Sequence, residues 1–195
     1  MKKKIGLVKI GEVDQSILEK LKTNLELSFK EFNISADLLQ EIITLENSEY
    51  NKSRSQYKAF KLLNKINSFI QEKQYFRVLG IIDHDIYSNS YFFLLGLAES
   101  PKKDRLWQPV GALISITRLR EGFYRRPEDE VLFEQRILKE AMHELGHTFS
   151  LPHCHKYCIM RFSNSITDTD NKPSSFCNSC LKNLRRFLKN LNITF

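Results

Sequence analysis

The sequence predicts an α/β or α+β protein in which a layered sheet carries helices on one face. Short apolar segments typical of strands alternate with longer segments whose apolar residues recur every three or four positions. The chain has 195 residues and is 42% hydrophobic, which is enough to bury one sizeable core. No repeat or low-complexity tract divides it. We therefore expect a single domain over residues 1–195.

The N-terminal segment, residues 1–10, is predicted to be a first β-strand rather than a secretory signal. Lys9 and then Glu12 interrupt its apolar character, and no small-residue cleavage site follows. Elsewhere the sequence lacks the roughly 18 uninterrupted apolar residues that a membrane helix requires. We therefore expect a soluble, cytoplasmic protein without a membrane partner.

The next elements follow from the spacing of their apolar residues. Residues 14–31 carry an amphipathic stripe behind Asp14, a residue type that caps helix N-termini. Residues 34–43 mix apolar and polar side chains as a strand, and the polar residues 46–54 are typical of a loop. Helical spacing returns over residues 54–73, which predicts a second helix.

Three further strands and one long helix complete the predicted fold. The strands cover residues 76–82, 91–98 and 110–116, and the helix covers residues 130–149. The first of these strands ends at Asp83-His84-Asp85. Carboxylates at a strand end are commonly turn formers, so a turn is favoured there over a metal site.

Four of the five histidines fall within residues 143–155. His143 and His147 lie four positions apart on the predicted helix, about 40° around its axis, so both can face one metal ion. His153 offers a third neutral ligand, and Glu144 lies on the next helix face, where it can hold a water. Three histidines and one open position are typical of catalytic zinc. A chance polar stripe on a helix is the alternative.

All four cysteines lie in the last quarter of the chain, in a C-x-x-x-C pair and a C-x-x-C pair. Such spacing is typical of zinc knuckles, and a reducing compartment favours metal thiolates over disulfides. We interpret them as one structural zinc site, with disulfides, free thiols or a competing ligand at His155 as alternatives. The neighbours His153 and Cys154 point to opposite sides of an extended segment, so they could serve two different ions. The four cysteines are Cys154, Cys158, Cys177 and Cys180.

Three segments together form a composite motif: His143-Glu144-Leu145-Gly146-His147-Thr148-Phe149-Ser150-Leu151-Pro152-His153-Cys154, then Cys158-Ile159-Met160, then Cys177-Asn178-Ser179-Cys180. The composite resembles the archaemetzincin metalloproteases of the metzincin clan. The resemblance implies a mixed, mostly parallel five-stranded sheet with a backing helix and an active-site helix. It also implies an N-terminal subdomain over residues 1–149 and a small zinc-stabilised C-terminal subdomain over residues 150–195.

The resemblance assigns roles to individual residues. His143, His147 and His153 look like the ligands of a catalytic zinc, and Glu144 like the general base that activates a zinc-bound water to hydrolyse peptide bonds. Met160 looks like the Met-turn methionine, an apolar floor beneath the imidazoles. With the cysteine site this implies two zinc ions per chain. We expect a monomer acting on peptide or protein substrates.

The sequence departs from the family pattern in its cysteine spacings, where the first pair and the stretch from Met160 to the last pair are each one residue shorter, and at two individual residues. Ser150 stands where the family has a glycine. A left-handed backbone at this position is costly for a residue with a Cβ, so we expect a distorted turn there. Phe162 stands two residues after Met160, where some metzincins have a tyrosine, so any oxyanion stabilisation must come from another group. The strand at residues 91–98 could pair with an extended peptide, or it could be an ordinary core strand.

Two other functions remain open from the sequence. Thirty basic and twenty-three acidic residues give a net charge of +7, and the pI is about 9.2. The segment 180–189 combines an apolar stripe with a basic face behind the predicted zinc knuckle, as some nucleic-acid-binding proteins do. A solvated helix face is the more common explanation of such a pattern. A zinc-dependent peptide-binding protein with little turnover is the second alternative.

Overall fold

The computed structural model describes residues 3–72 and 75–191. These residues form five α-helices: α1 (Gln15–Ser28), α2 (Ala59–Glu72), α3 (Glu130–Thr148), α4 (Ile166–Asn171) and α5 (Asn178–Leu191). They also form nine strands: β1 (Lys4–Ile10), β2 (Ser35–Ile43), β3 (Tyr50–Asn51), β4 (Gln56–Lys58), β5 (Arg77–Ile82), β6 (Ile86–Ser88), β7 (Tyr91–Leu94), β8 (Gly96–Ala98) and β9 (Val110–Ser115). No helix among these residues is both long and apolar enough to cross a membrane.

The main sheet has five strands in the order β2-β1-β5-β9-β8. Four of them are parallel, and β8 pairs antiparallel with β9 at the edge. This confirms the mixed, mostly parallel five-stranded sheet. A second, small sheet of order β3-β4-β6-β7 was not predicted. Its strands span only two to four residues, too few to show a periodicity of their own.

The prediction of helices on one face was wrong, because helices cover both faces of the main sheet. Helix α2 packs on one face through a core that includes Ile66, Val78 and Leu113. Helices α1 and α3 pack on the other face, in a core that includes Leu79 and Ile114. Every residue of β5 and β9 is buried. Continuous apolar runs are typical of parallel strands that are covered on both sides.

The predicted strand over residues 91–98 is two strands in two different sheets. The chain bends at the buried Leu95, so β7 joins the small sheet and β8 joins the main sheet. The carbonyl of Leu95 still accepts a hydrogen bond from the Ser115 N–H, at 2.9 Å. The bend turns β7 and β8 into one continuous wall of the cleft described below.

Other helices and strands begin or end a few residues away from their predicted boundaries. Asp14 caps α1 as predicted, accepting from the Ser16 N–H at 2.9 Å. Helix α2 begins only at Ala59, because residues 56–58 pair in β4. The predicted start of the first strand, Met1, and the predicted end of the second helix, Lys73, lie outside the described residues.

The C-terminal quarter shares the core of α1 and α3. Helix α5 buries Leu184 and Leu188 of the predicted stripe against it, while Leu181 is only partly buried. The basic residues of the same helix face solvent, where Arg185 pairs with Glu31 at 2.7 Å. The boundary between two subdomains at residue 149 stays a prediction.

Candidate metal centre

Helix α3 places His143 and His147 on one face with their ring nitrogens turned to each other. The Nδ1 of His143 lies 2.9 Å from the Ile159 carbonyl, and the Nδ1 of His147 lies 2.8 Å from the Leu151 carbonyl. A carbonyl only accepts, so each Nδ1 is the donor and each Nε2 of the neutral ring keeps its lone pair. The two Nε2 atoms are 3.2 Å apart.

That separation agrees with a shared zinc ion. Two nitrogens at about 2.0–2.1 Å from a tetrahedral zinc lie about 3.3 Å from each other. His153 completes the cluster from the segment after the helix, with its ring centroid 4.8 Å from that of His147 and 5.3 Å from that of His143. One ligating nitrogen from each of the three lies within 4.8 Å of the others. The structure therefore brings together all three histidines that the sequence singled out.

Ser150 forms the turn that carries the chain from α3 to His153. We expected a distorted turn here; the φ of Ser150 is 60°, in the left-handed region, while the turn keeps the regular hydrogen bonds of a helix end. The Ser150 N–H donates to the His147 carbonyl at 2.9 Å, and the Leu151 N–H donates to the Gly146 carbonyl at 3.0 Å. These two bonds form a Schellman motif, in which the left-handed position is ordinarily glycine.

Replacing Ser150 by glycine is expected to stabilise the protein by about 1 kcal/mol, because glycine carries no Cβ penalty in the left-handed region. For a chain of this size the melting temperature should rise by about 2–4 °C, measured by calorimetry on zinc-loaded protein. Ser174→Gly is the matched control, since Ser174 is exposed and does not have a positive φ. A Ser150→Gly variant no more stable than wild type would contradict the strain at this turn.

Glu144 lies between the histidines and the edge strand β8. Its side chain is buried, with the residue only 6% exposed. Burial raises the pKa of Glu144 well above its ordinary value, and the nearby Glu140 carboxylate raises it further. A carboxylate with a raised pKa is a stronger proton acceptor than an exposed glutamate.

Gly96 makes room for Glu144, and sequence analysis missed it. A Cβ on Gly96 would lie 2.5 Å from both Cγ and Oε1 of Glu144, so only glycine allows this approach. The available signal was a glycine inside a predicted strand, which often marks a site where another group comes close.

A buried ion pair behind the histidines was also missed. Glu140 accepts from the Thr169 hydroxyl at 2.9 Å and pairs with the Lys172 ammonium at 2.8 Å, and both charged side chains are almost fully buried. Burial, followed by the Lys172 charge, lowers the pKa of His143 to about 3. The pKa values of His147 and His153 are lowered too, chiefly by burial. The three imidazoles are therefore neutral at pH 7, the state in which they bind a metal.

The four cysteines form a second cluster beside the first. One sulfur from each lies within 4.8 Å of the others, and Cys154 Sγ is 3.8 Å from Cys177 Sγ. Two thiolates at 2.3 Å from a tetrahedral zinc are about 3.8 Å apart. Burial works against ionisation, but N–H and thiol donors outweigh it and lower the pKa of Cys177 to about 7. No disulfide joins any of these four cysteines.

The two clusters are joined through the chain. His153 lies in the histidine cluster and its neighbour Cys154 in the cysteine cluster, whereas the exposed His155 lies in neither. The Cys154 N–H donates to the Met160 carbonyl at 2.9 Å. Met160 is fully buried, and a Cβ on Gly146 would collide with its sulfur, so the methionine packs against α3 at Gly146, the residue before His147.

The acidic turn after β5 is structural. Arg120 binds Asp83 at 2.7 Å, and Arg118 binds both oxygens of Asp85 at 2.7 and 2.6 Å. The ring of His84 lies against that of Tyr57, with centroids 5.2 Å apart. These contacts support the turn over a metal site.

A cleft of about 460 Å³ opens over the histidines. Strands β7 and β8 form one wall, α3 forms the floor, and residues 162–164 form the opposite wall. Glu140 and Glu144 are the charged side chains among its described lining residues, and neither lysine nor arginine lines it.

Comparison with known proteins identifies the family. Residues 12–186 match the model of peptidase family M54. The archaemetzincin of Pyrococcus furiosus is 36% identical over 191 residues, which cover 96% of this chain and 95% of that protein. The archaemetzincin of Sulfolobus acidocaldarius is 35% identical over 178 residues, covering 91% and 93%.

Solved structures agree in fold. The crystal structure of the archaemetzincin from Methanopyrus kandleri superposes with a TM-score of 0.79 at 31% identity, covering 95% of both chains. The zinc-dependent peptidase from Methanocorpusculum labreanum superposes with a TM-score of 0.78 at 25% identity, covering 92% of this chain and 99% of that one. The chain therefore belongs to peptidase family M54 and is a zinc metalloprotease that hydrolyses peptide bonds.

Proposed function

We propose that His143, His147 and His153 hold the catalytic zinc and that Glu144 is the general base. The observation that carries this proposal is the fixed tautomer of the two helical histidines. Backbone carbonyls accept from both Nδ1 atoms, so both Nε2 lone pairs point to one place. His153 approaches the same place from outside the helix.

A zinc ion held by these three histidines would lower the pKa of a bound water and polarise the peptide carbonyl. Glu144 then orients the water through its carboxylate, accepts its proton and returns that proton to the leaving amine. Its burial against Gly96 keeps the carboxylate in one position, because side-chain movement is blocked on that side. Glu140 is engaged with Lys172 and Thr169, which leaves Glu144 as the base.

The substrate in this proposal is an extended peptide lying along β8. That strand pairs with β9 on one side and ends the main sheet on the other, so its outer edge can add a peptide strand. Glu144 lies directly against Gly96 on the same strand. A peptide paired there would pass over the proposed general base.

Cys154, Cys158, Cys177 and Cys180 hold a second, structural zinc in this proposal. Four thiolates complete a tetrahedral site and leave no open position for substrate. A nucleic-acid function is the less supported alternative: the basic face of α5 is exposed, as such a function requires, but one of its charges, Arg185, already pairs with Glu31.

Metal analysis combined with peptide cleavage tests the proposal. Wild type should contain two zinc ions per chain and cleave members of a peptide library, whereas His143→Ala should retain one ion and lose cleavage. Replacing the exposed His155 by alanine is the control, and both ions should remain. A wild-type protein that contains only one zinc ion, and a His143→Ala variant that keeps that same ion, would contradict the ligand set. Peptide binding without cleavage by zinc-loaded wild type would favour the binding alternative.

A further inference from the structure

Two partly exposed aromatic side chains meet across the mouth of the cleft. Tyr91, on β7, is 49% exposed, and Phe162, on the opposite wall, is 39% exposed. Their ring centroids are 6.2 Å apart. Phe162 also lies against the ring of His153, at 4.9 Å. A single exposed aromatic is ordinary, but a pair that meets over a concave site forms an apolar binding surface.

We propose that Tyr91 and Phe162 form an aromatic clamp that binds a bulky apolar side chain of the substrate, next to the bond that is cleaved. The proposal rests on the function proposed above, since it places the substrate in the same cleft. A substrate side chain placed between the two rings would contact one face of each ring. These two contacts would replace the contact that the rings make with each other. Its backbone would then lie near His153.

The wall that carries Tyr91 is held in place from behind. The carbonyl of the next residue, Phe92, accepts from Arg54 at 2.7 Å and from Gln56 at 2.9 Å. Gln56 is buried and also donates to Asp85 at 2.8 Å. The backbone that carries Tyr91 is therefore held in place, so only the ring has to turn when a ligand enters, which limits the entropy lost on binding.

The wall that carries Phe162 is held by the cysteine cluster. The Arg161 N–H donates to the Cys158 carbonyl at 3.0 Å, and the Met160 carbonyl accepts from the Cys154 N–H at 2.9 Å. Phe162 follows this turn directly. Both halves of the aromatic clamp thus rest on fixed parts of the fold.

The remaining lining of the cleft favours an apolar side chain over an acidic one. Neither lysine nor arginine lines the cleft among the described residues, although the chain carries a net charge of +7. A substrate carboxylate would also face Glu144. Leu94 and Leu97 add apolar surface on the wall of Tyr91.

A series of peptides tests the aromatic clamp through the ratio of kcat/KM for a phenylalanine peptide to kcat/KM for the matching alanine peptide. The peptides carry phenylalanine, alanine or glutamate at either residue flanking the cleaved bond, and kcat/KM is measured for each. Wild type should prefer phenylalanine over alanine by about 10-fold or more at one of the two positions, with glutamate lowest. Phe162→Ala and Tyr91→Ala should bring the phenylalanine-to-alanine ratio close to one.

Two further variants separate the ring from other effects. Tyr91→Phe keeps the ring and should keep the phenylalanine-to-alanine ratio of kcat/KM. If this variant lost the ratio, the effect would belong to the Tyr91 hydroxyl and not to its ring. Phe60→Ala removes a ring that is 65% exposed on α2, away from the cleft, and should leave the kinetics unchanged. The aromatic clamp would be overturned if Phe162→Ala and Tyr91→Ala left the phenylalanine-to-alanine ratio of kcat/KM unaltered.

A binding measurement keeps this test separate from the test of catalysis. In the Glu144→Gln background, fluorescence anisotropy should show the labelled phenylalanine peptide binding about 10-fold or more tightly than the alanine peptide. Adding Phe162→Ala should remove that difference. Equal affinities in the Glu144→Gln protein would reject the aromatic clamp. Absence of cleavage by wild type together with a tenfold difference in binding would reject the proposed catalysis alone.

Discussion

Replacing Glu144 by glutamine should lower kcat for peptide cleavage by about 10²–10⁴-fold or more while the two proposed zinc ions stay bound. Glutamine has nearly the same size and fits the space above Gly96, but its amide cannot accept a proton from water. Glu144 is not among the three histidines proposed to hold the zinc, so the metal content should not change. Steady-state kinetics on a peptide that wild type cleaves, with zinc analysis of the same samples, measures both quantities.

The matched control is Glu130→Gln on the same helix. Glu130 is exposed in the first turn of α3, fourteen positions and about 21 Å from Glu144. The Glu130→Gln variant should cleave the peptide with the same kcat as wild type. If Glu144→Gln retained more than about a tenth of wild-type kcat with its zinc content intact, another group would have to be the base.

Sequence spacing could predict the local part of the site. His143 and His147 belong to one helix, so their common face follows from 3.6 residues per turn. His153 follows only six residues later, after a turn at which Ser150 has a left-handed φ of 60°. These features depend on neighbouring residues, which the sequence displays directly.

The parts that sequence could not predict come from distant segments. Gly96 reaches Glu144 because β8 turns back along the edge of the main sheet, after a bend that periodicity does not show. Lys172 reaches Glu140 from the segment after α4, 32 positions along the chain. Lysine and glutamate are ordinary surface residues in a sequence, and only their burial together makes them part of the site.

Replacing Cys158 by serine should remove the zinc ion proposed for the cysteine cluster and also weaken the histidine cluster. Cys158 is fully buried, and structural zinc contributes several kcal/mol or more to folding. The next residue, Ile159, provides the carbonyl that fixes the tautomer of His143. Loss of the cysteine site would therefore release a hydrogen bond on which the first histidine depends.

The expected result for Cys158→Ser is a zinc content below one ion per chain in dilute buffer and a melting temperature lower by about 10 °C or more. Ser179→Ala is the control: it lies between Cys177 and Cys180 but is exposed, and its hydroxyl only accepts from Lys156. That variant should keep two ions. A Cys158→Ser protein that lost one ion but bound the other as tightly as wild type would show that the two clusters fold independently. The hydrogen bond from His143 to Ile159 would then be secured by core packing rather than by the cysteine site.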